Sequence, residues 1–112
     1  MLLDIELTQD TLFVRLGGEL DLGVADYLRS ALEEALDREP ARNLVFNLSR
    51  VSFIDSSGLG VLLGRYKRVS KEGGKVYLVS PQPQVRKILD LSGLLRIMGE
   101  FPSEHEALAK IG

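Results

Sequence analysis

The sequence contains no cysteine, no tryptophan and a single histidine among its 112 residues. Without cysteine, the chain forms neither disulfide bonds nor thiolate metal sites, and this composition suits a reducing compartment. Long apolar runs are absent as well, and the N-terminal residues MLLDIELTQD carry acids instead of the basic segment that opens a secretion signal. We therefore expect a cytoplasmic protein that does not associate with a membrane and that holds no metal ion or cofactor.

The charges nearly balance, with 14 lysines and arginines against 16 aspartates and glutamates and a net charge of -2. This balance argues against a protein that binds nucleic acid by neutralising phosphates. The distribution is uneven, because residues 1–40 hold 10 acids and 3 bases, whereas the remainder holds 6 acids and 11 bases. An acidic surface in the first part would suit a basic protein partner, although ordinary solvated helix surface explains the same pattern more simply.

The pattern of apolar residues predicts the secondary structure of the first two thirds of the chain. Strict alternation over residues 3–7 and 12–16 predicts two strands joined as a β-hairpin. Helical spacing then predicts a first helix that ends before Pro40. The short apolar runs Leu44–Leu48 and Val76–Val79 predict buried strands, and a second helix between them ends at a glycine pair.

The remaining third is predicted to contain a helix with Gly93 at its C-terminus, a short strand over Arg96–Met98, and a last helix that opens with a Ser-x-x-Glu capping box at Ser103. A hairpin followed by alternating helices and strands predicts an α/β fold with a mixed sheet of four or five strands and about four helices. The later strands should run parallel, with Leu44–Leu48 in the centre. At this length we expect one domain over residues 1–112.

The segment FIDSSGLGVLLG, residues 53–64, places one carboxylate and two hydroxyls before a glycine-spaced apolar run. A catalytic serine would need a base and donors for an oxyanion. The only histidine, His105, lies in the terminal capping box, and the segment lacks the Gly-x-Ser-x-Gly pattern of a nucleophile elbow. The sequence therefore predicts no catalytic residue in this segment.

The three glycines of this segment, Gly58, Gly60 and Gly64, resemble the spacing of a dinucleotide-binding loop. The third glycine comes one residue late, however, and no phosphate-loop lysine follows. Since each glycine inside a helix costs roughly 1 kcal/mol relative to alanine, close packing is the better explanation. Either the sheet beneath or a partner above would then approach the helix backbone, and a small nucleotide-binding protein is the weaker alternative.

The hydroxyls of the segment have a structural explanation and a regulatory one. Asp55 or Ser56 is suited to cap the following helix by accepting hydrogen bonds from its free amides. Because only one residue is the N-cap, at least one serine remains at an exposed helix start. A phosphate there is compatible with the helix dipole, but it would be costly to a partner packed beside Asp55. The residues permit such a modification without requiring it.

Three segments of the sequence resemble the anti-sigma factor antagonists of the STAS class. They are Gly18–Asp21, the block from Asp55 to Lys67, and Asp90–Leu94. The block DSSGLGVLLGRYK is the most specific of the three, and the resemblance extends over essentially the whole chain. Within the class, the sporulation antagonists of anti-sigma F factors are the most similar.

The resemblance implies a STAS-type fold and a regulator that is not an enzyme. In this family, the unphosphorylated antagonist binds an anti-sigma factor that is also a serine kinase, and the sigma factor is thereby released. The kinase uses ATP to phosphorylate the antagonist, and a serine phosphatase reverses the modification. The resemblance implies Ser57 as the phosphorylated residue. The partner-binding residues that it implies are Asp21, Asp55, Ser56, Ser57, Gly58, Leu59 and Gly60.

Two questions stay open at the level of sequence. Asp21 is as well explained as an N-cap of the first helix as by contact with a partner. The alternative function is a STAS module of a stress-response switch or of another signalling partner switch.

Overall fold

The computed structural model describes residues 1–111, which form five strands and five helices. The strands are β1 (Leu2–Thr8), β2 (Thr11–Leu20), β3 (Asn43–Ile54), β4 (Val76–Val79) and β5 (Gly99–Phe101). The helices are α1 (Leu22–Arg38), α2 (Ser56–Lys71), α3 (Pro83–Leu91), α4 (Leu94–Ile97) and α5 (Glu104–Ile111). Within residues 1–111, no helix combines the length and the apolar character that a membrane span requires.

The strands form one mixed sheet in the order β1-β2-β3-β4-β5. β1 and β2 are antiparallel, and the later pairs are all parallel. The predicted hairpin, the parallel later strands and the central position of Leu44–Leu48 are therefore confirmed. β3 nevertheless continues six residues beyond Leu48 to Ile54. Register shifts against β2 disturb the two-residue alternation there, which is why the sequence pattern underestimates this strand.

The helices cover the two faces of the sheet unequally. Alternate residues of the central strands, such as Leu44 and Phe46, are buried with the apolar sides of α1, α2, α3 and α4 in the main core. The intervening residues, such as Phe13 and Val45, form a smaller core that α5 covers with Ala107. This arrangement follows from the side-chain period of two in a strand, because both faces of a parallel sheet require cover.

The predicted helix ends are confirmed. α1 stops at Arg38, shortly before Pro40. Gly73 follows α2 with a φ of 83°, and Gly93 follows α3 with a φ of 87°, a conformation that side chains disfavour. At the start of α5, the amide of Glu106 donates a hydrogen bond of 3.1 Å to the Ser103 hydroxyl, as the capping-box pattern predicts.

The strand predicted over Arg96–Met98 is wrong. Residues 94–97 form the short helix α4, and the strand β5 begins only at Gly99. Leu94 and Met98 are both buried, and the amide of Met98 donates to the Leu94 carbonyl at 2.9 Å. The apolar residues of this segment thus recur at helical spacing, and α4 is also the helix beyond the four that the sequence predicts.

The sheet topology brings the ends of β2 and β3 together. The last pair in their register is Leu20 with Ile54, and the two strands are parallel. The next residues along each strand are therefore neighbours at the same edge of the sheet. These residues are Asp21 and Asp55, from which α1 and α2 begin.

Candidate functional site

Asp55 caps α2 with its side chain. Its Oδ1 accepts hydrogen bonds from the amides of Ser57 at 2.8 Å and Gly58 at 3.1 Å. Two of the amides that lack partners at a helix start are thereby satisfied. Of the two residues proposed as the cap, Asp55 has this role, and Ser56 becomes the first helical residue.

The second oxygen of Asp55 reaches the neighbouring helix. Oδ2 accepts a hydrogen bond of 3.1 Å from the amide of Leu22, the first residue of α1. The backbone amide of Asp55 also donates to the Leu20 carbonyl at 3.2 Å. One side chain thus joins the starts of both helices. Leu22 is a site residue that the sequence analysis missed, because only the pairing of β2 with β3 makes it a neighbour of Asp55.

Asp21 occupies the N-cap position of α1, but its carboxylate makes no capping hydrogen bond. Its main-chain carbonyl accepts instead from the amides of Val24 at 3.2 Å and Ala25 at 3.1 Å. The side chain is half-buried and forms no salt bridge within residues 1–111. The carboxylate is therefore available to a cation from outside the chain.

The two serines of the motif differ in accessibility. Ser56 is exposed at the first turn of α2, whereas Ser57 is half-buried. Neither hydroxyl forms a hydrogen bond with another group of residues 1–111. Both serines lie beside the amides of the helix start, as predicted, and Ser56 is the more accessible of the two.

The glycines of α2 divide into one that faces the sheet and two that do not. A Cβ atom on the buried Gly58 would lie 2.3 Å from the Leu20 carbonyl oxygen, so only glycine fits there. A Cβ atom on Gly60 or Gly64 would meet nothing within 4 Å. The sheet beneath thus explains Gly58, whereas Gly60 and Gly64 leave a flat strip on the outer side of the helix. Leu59 is partly buried and packs against the main core.

These contacts weaken the nucleotide-binding alternative. In a phosphate-binding loop, glycines allow the ligand to approach the main chain. Gly58, the first glycine of the pattern, is instead covered by the end of β2. Within residues 1–111 there is also no group of three or more acidic or histidine side chains that could hold a metal ion.

Most acidic side chains of residues 1–40 form salt bridges within the chain. Seven of the ten acids in residues 1–40 form salt bridges, including Glu33 and Asp37 of α1, which pair with Arg65 and Arg68 of α2. Burial lowers the pKa of Arg65, and hydrogen bonding to Asp37 raises the pKa of Arg68. Two of these acids thus join α1 to α2, and the other five pair with Arg15 of β2 or with arginines of α1 itself.

A second ionic cluster lies on the opposite face of the sheet, where α5 begins. Arg15 donates to both carboxylate oxygens of Glu104, at 2.8 and 2.9 Å, and Nη1 of Arg15 donates to Asp4 and Glu6 at 2.8 Å each. These acceptors raise the pKa of Arg15. Hydrogen bonding to Arg15, and then to Asn47, lowers the pKa of Glu104 in spite of burial. No sequence pattern predicts this cluster, since its members come from four separate elements.

The sequence profile of the STAS domain matches residues 3–107. The chain belongs to the STAS domain family. An anti-sigma F factor antagonist of Paenibacillus polymyxa is 39% identical over 109 residues, which cover 97% of this STAS domain chain and 93% of the relative. An anti-sigma-B factor antagonist of Staphylococcus aureus is 33% identical over 103 residues, covering 88% and 92% of the two chains.

Two solved structures of one antagonist, SpoIIAA, share the fold of this STAS domain. The unphosphorylated form gives a TM-score of 0.86 at 33% identity and covers 98% of this chain and 96% of that chain. The phosphorylated form, described as a Bacillus cell fate determinant, gives 0.78 at 32% identity and covers 99% and 100%. The family and the STAS-type fold implied by the DSSGLGVLLGRYK block are thus confirmed.

The STAS domain brings the expected site residues together at one edge of the sheet. Asp21, Asp55, Ser56, Ser57 and Gly58 cluster where β2 and β3 end. Gly60 lies one turn further along α2 on the exposed side. The assignment of these residues to a partner contact stays a prediction, as does that of Ser57 to phosphorylation.

Proposed function

We propose that this protein is an anti-sigma factor antagonist whose binding surface is the edge formed by Asp21 and the start of α2. In its unmodified form it binds an anti-sigma factor that is a serine kinase, and the sigma factor is released. Phosphorylation at the start of α2 ends this binding, and a serine phosphatase restores it. The protein is a regulator and a kinase substrate in the cytoplasm. It has no catalytic residue and no cofactor of its own, and ATP is used by the kinase.

The observation that carries this proposal is the geometry of the start of α2. An exposed hydroxyl, two capped amides and the free carboxylate of Asp21 lie together on a surface where Gly60 offers no side chain. A kinase can reach this hydroxyl without displacing any buried group. The family membership and the existence of a relative in a phosphorylated form support the same assignment.

We place the phosphorylated hydroxyl at Ser56, one residue before the serine that the sequence resemblance implies. A kinase must bring the hydroxyl oxygen into line with the phosphate of ATP, which requires an accessible side chain. Ser56 is exposed and Ser57 is half-buried. Exposure therefore favours Ser56, and Ser57 is the alternative acceptor.

The partner surface should be basic where it meets Asp21 and flat or concave where it meets α2. The carboxylate of Asp21 has no partner among residues 1–111, and it is one of only three acids of residues 1–40 that form no salt bridge there. A lysine or arginine of the kinase would complement it. We therefore propose that the partner recognises the local charge of Asp21, and not the broad acidic surface that the composition of residues 1–40 suggests.

The test is reconstitution from purified components. The unmodified protein is added to the complex of its anti-sigma factor and sigma factor, and free sigma factor is measured by size-exclusion chromatography. We expect release without ATP, and loss of release after incubation with ATP. The proposal would be refuted if neither an anti-sigma F factor nor an anti-sigma-B factor bound or phosphorylated the protein.

A stress-response switch is the second candidate, because the anti-sigma-B factor antagonist of Staphylococcus aureus is 33% identical over 103 residues. The anti-sigma F relative is 39% identical over 109 residues, so control of sporulation is favoured. The same reconstitution with both kinds of anti-sigma factor decides between them. The branch is identified by the anti-sigma factor from which the protein releases the sigma factor.

A further inference from the structure

The start of α1 is capped by a residue of another helix. The amide of Leu22 donates to Oδ2 of Asp55 at 3.1 Å across 33 positions of sequence. This amide is one of the four at the start of α1 that have no partner within the helix. Asp21, the residue in the N-cap position, makes no side-chain hydrogen bond. The first amide of α1 therefore depends on Asp55.

The same carboxylate holds the start of α2. Its Oδ1 accepts from Ser57 and Gly58, at 2.8 and 3.1 Å. Close packing holds the start of α2 against the end of β2, two residues before α1 begins, because a Cβ atom on Gly58 would lie 2.3 Å from the Leu20 carbonyl oxygen. Both oxygens of Asp55 are thus committed, one to each helix.

We infer that Asp55 is a positioning residue that couples modification of the start of α2 to the placement of Asp21 and Leu22. This inference rests on the proposed phosphorylation of Ser56. A phosphate adds a charge of about -1.5 to -2 to the first turn of α2. There it repels the Asp55 carboxylate and competes for the amides that this carboxylate caps. Either effect weakens the hydrogen bond from Leu22, and Asp21 loses its fixed position.

The variant Asp55→Asn separates the cap of α2, made by Oδ1, from the hydrogen bond between Oδ2 and Leu22. Asparagine caps helices about as well as aspartate, so α2 keeps its cap. An NH2 group takes the place of the second oxygen. This group is a hydrogen-bond donor and faces the Leu22 amide, which is also a donor, so the bond to Leu22 is lost. Asp21→Asn is the matched control, since it removes one carboxylate from the same edge and leaves the three hydrogen bonds to Asp55 unaltered.

The readout is amide hydrogen exchange by NMR in the isolated, nitrogen-15-labelled protein. We expect the Leu22 amide of Asp55→Asn to exchange about fivefold faster, the factor that one ordinary hydrogen bond contributes. The Ser57 amide should keep its exchange rate. In Asp21→Asn, both amides should keep the protection factors of the unmodified protein, that is, their exchange rates relative to those of an unfolded chain of the same sequence.

A second preparation carries phosphoserine at position 56, introduced genetically, and should show the same acceleration at Leu22. An unchanged Leu22 exchange rate in the phosphoserine protein would overturn the inference, whether or not Asp55→Asn folds. No kinase takes part in these measurements. Failure of the coupling is therefore distinguishable from failure of the proposed function, which shows as absent binding and phosphorylation by the anti-sigma factor.

Discussion

At the scale of single residues, the accessibility of Ser56 leads to the first prediction. Ser56→Ala should abolish phosphorylation by the anti-sigma factor kinase and change the free energy of unfolding by no more than about 0.5 kcal/mol, since the exposed hydroxyl bonds to no group of residues 1–111. Ser57→Ala is the control and should keep the modification. Mass spectrometry after incubation with kinase and ATP locates the phosphate. Its appearance on Ser57 of Ser56→Ala at the normal rate would assign the site to Ser57.

The glycines of α2 give a second prediction at this scale. Gly58→Ala should lower the free energy of unfolding by about 1–3 kcal/mol, because its Cβ would lie 2.3 Å from the Leu20 carbonyl oxygen. Gly60→Ala should raise it by about 0.5–1 kcal/mol, since its Cβ meets nothing within 4 Å and alanine favours the helix. Urea denaturation measures both. Equal effects of the two substitutions would show that Gly58 is not pressed against β2.

The difference between Gly58 and Gly60 also shows how far the sequence predicts single residues. The order Asp-Ser-Ser-Gly predicts where the helix starts and that Asp55 is a candidate N-cap. It also predicts that another part of the structure approaches the helix backbone closely. Which glycine the sheet approaches depends on the register of β2 against β3. The hydrogen bond from Leu22 to Asp55 depends on the same strand pairing, so no local sequence pattern predicts it.

At the scale of elements, α5 is held to the sheet by both apolar and ionic contacts. Ala107 is buried in the smaller core, and Glu104 accepts two hydrogen bonds from Arg15. Glu104→Gln should lower the free energy of unfolding by about 1–2 kcal/mol at pH 7, because the ion pair with Arg15 is lost and glutamine has only one oxygen to accept the two Arg15 hydrogen bonds. Glu106→Gln is the matched control on the same helix. Its side chain is exposed and forms no salt bridge within residues 1–111, so no such loss is expected.

The effect of Glu104 should depend on pH. Hydrogen bonding to Arg15 lowers the pKa of Glu104 from its ordinary value of 4.5. A carboxyl group with a lowered pKa stabilises the fold above its unfolded-state pKa, and that stabilisation is lost as the pH falls through the folded-state pKa. The stability difference between the unmodified protein and Glu104→Gln should therefore shrink below about pH 4.5. A difference that stays constant between pH 7 and about pH 3 would contradict this assignment.

Elements with a strong period are predicted from sequence, and short ones are not. α1 and α2 each carry apolar residues at helical spacing over at least four turns, and their predicted ends agree with the structure. The segment around Arg96 offers only a few apolar residues, which fit a strand or a helical turn equally well. The burial of Leu94 and Met98 favours the helix. This burial depends on the packing of α4 against the main core, which the sequence alone does not predict.

At the scale of the whole molecule, we predict a switch that acts by local charge and leaves the fold intact. The modified serine lies at a helix start, where the helix dipole favours negative charge. Nothing in the main core lies against Ser56, which is exposed. The domain therefore has no reason to rearrange, apart from the neighbouring start of α1. A partner packed on this edge would have to bury a charge of about -1.5 to -2 beside Asp55.

The most direct test of the account is the affinity of the anti-sigma factor kinase for the protein with and without phosphoserine at position 56, measured by isothermal titration calorimetry. An unpaired buried charge costs several kcal/mol, so we predict binding at least about 100-fold weaker for the phosphoserine form. Circular dichroism spectra of the two forms should agree. Equal affinity of the kinase for both forms would contradict the claim that this edge of the sheet is the switch.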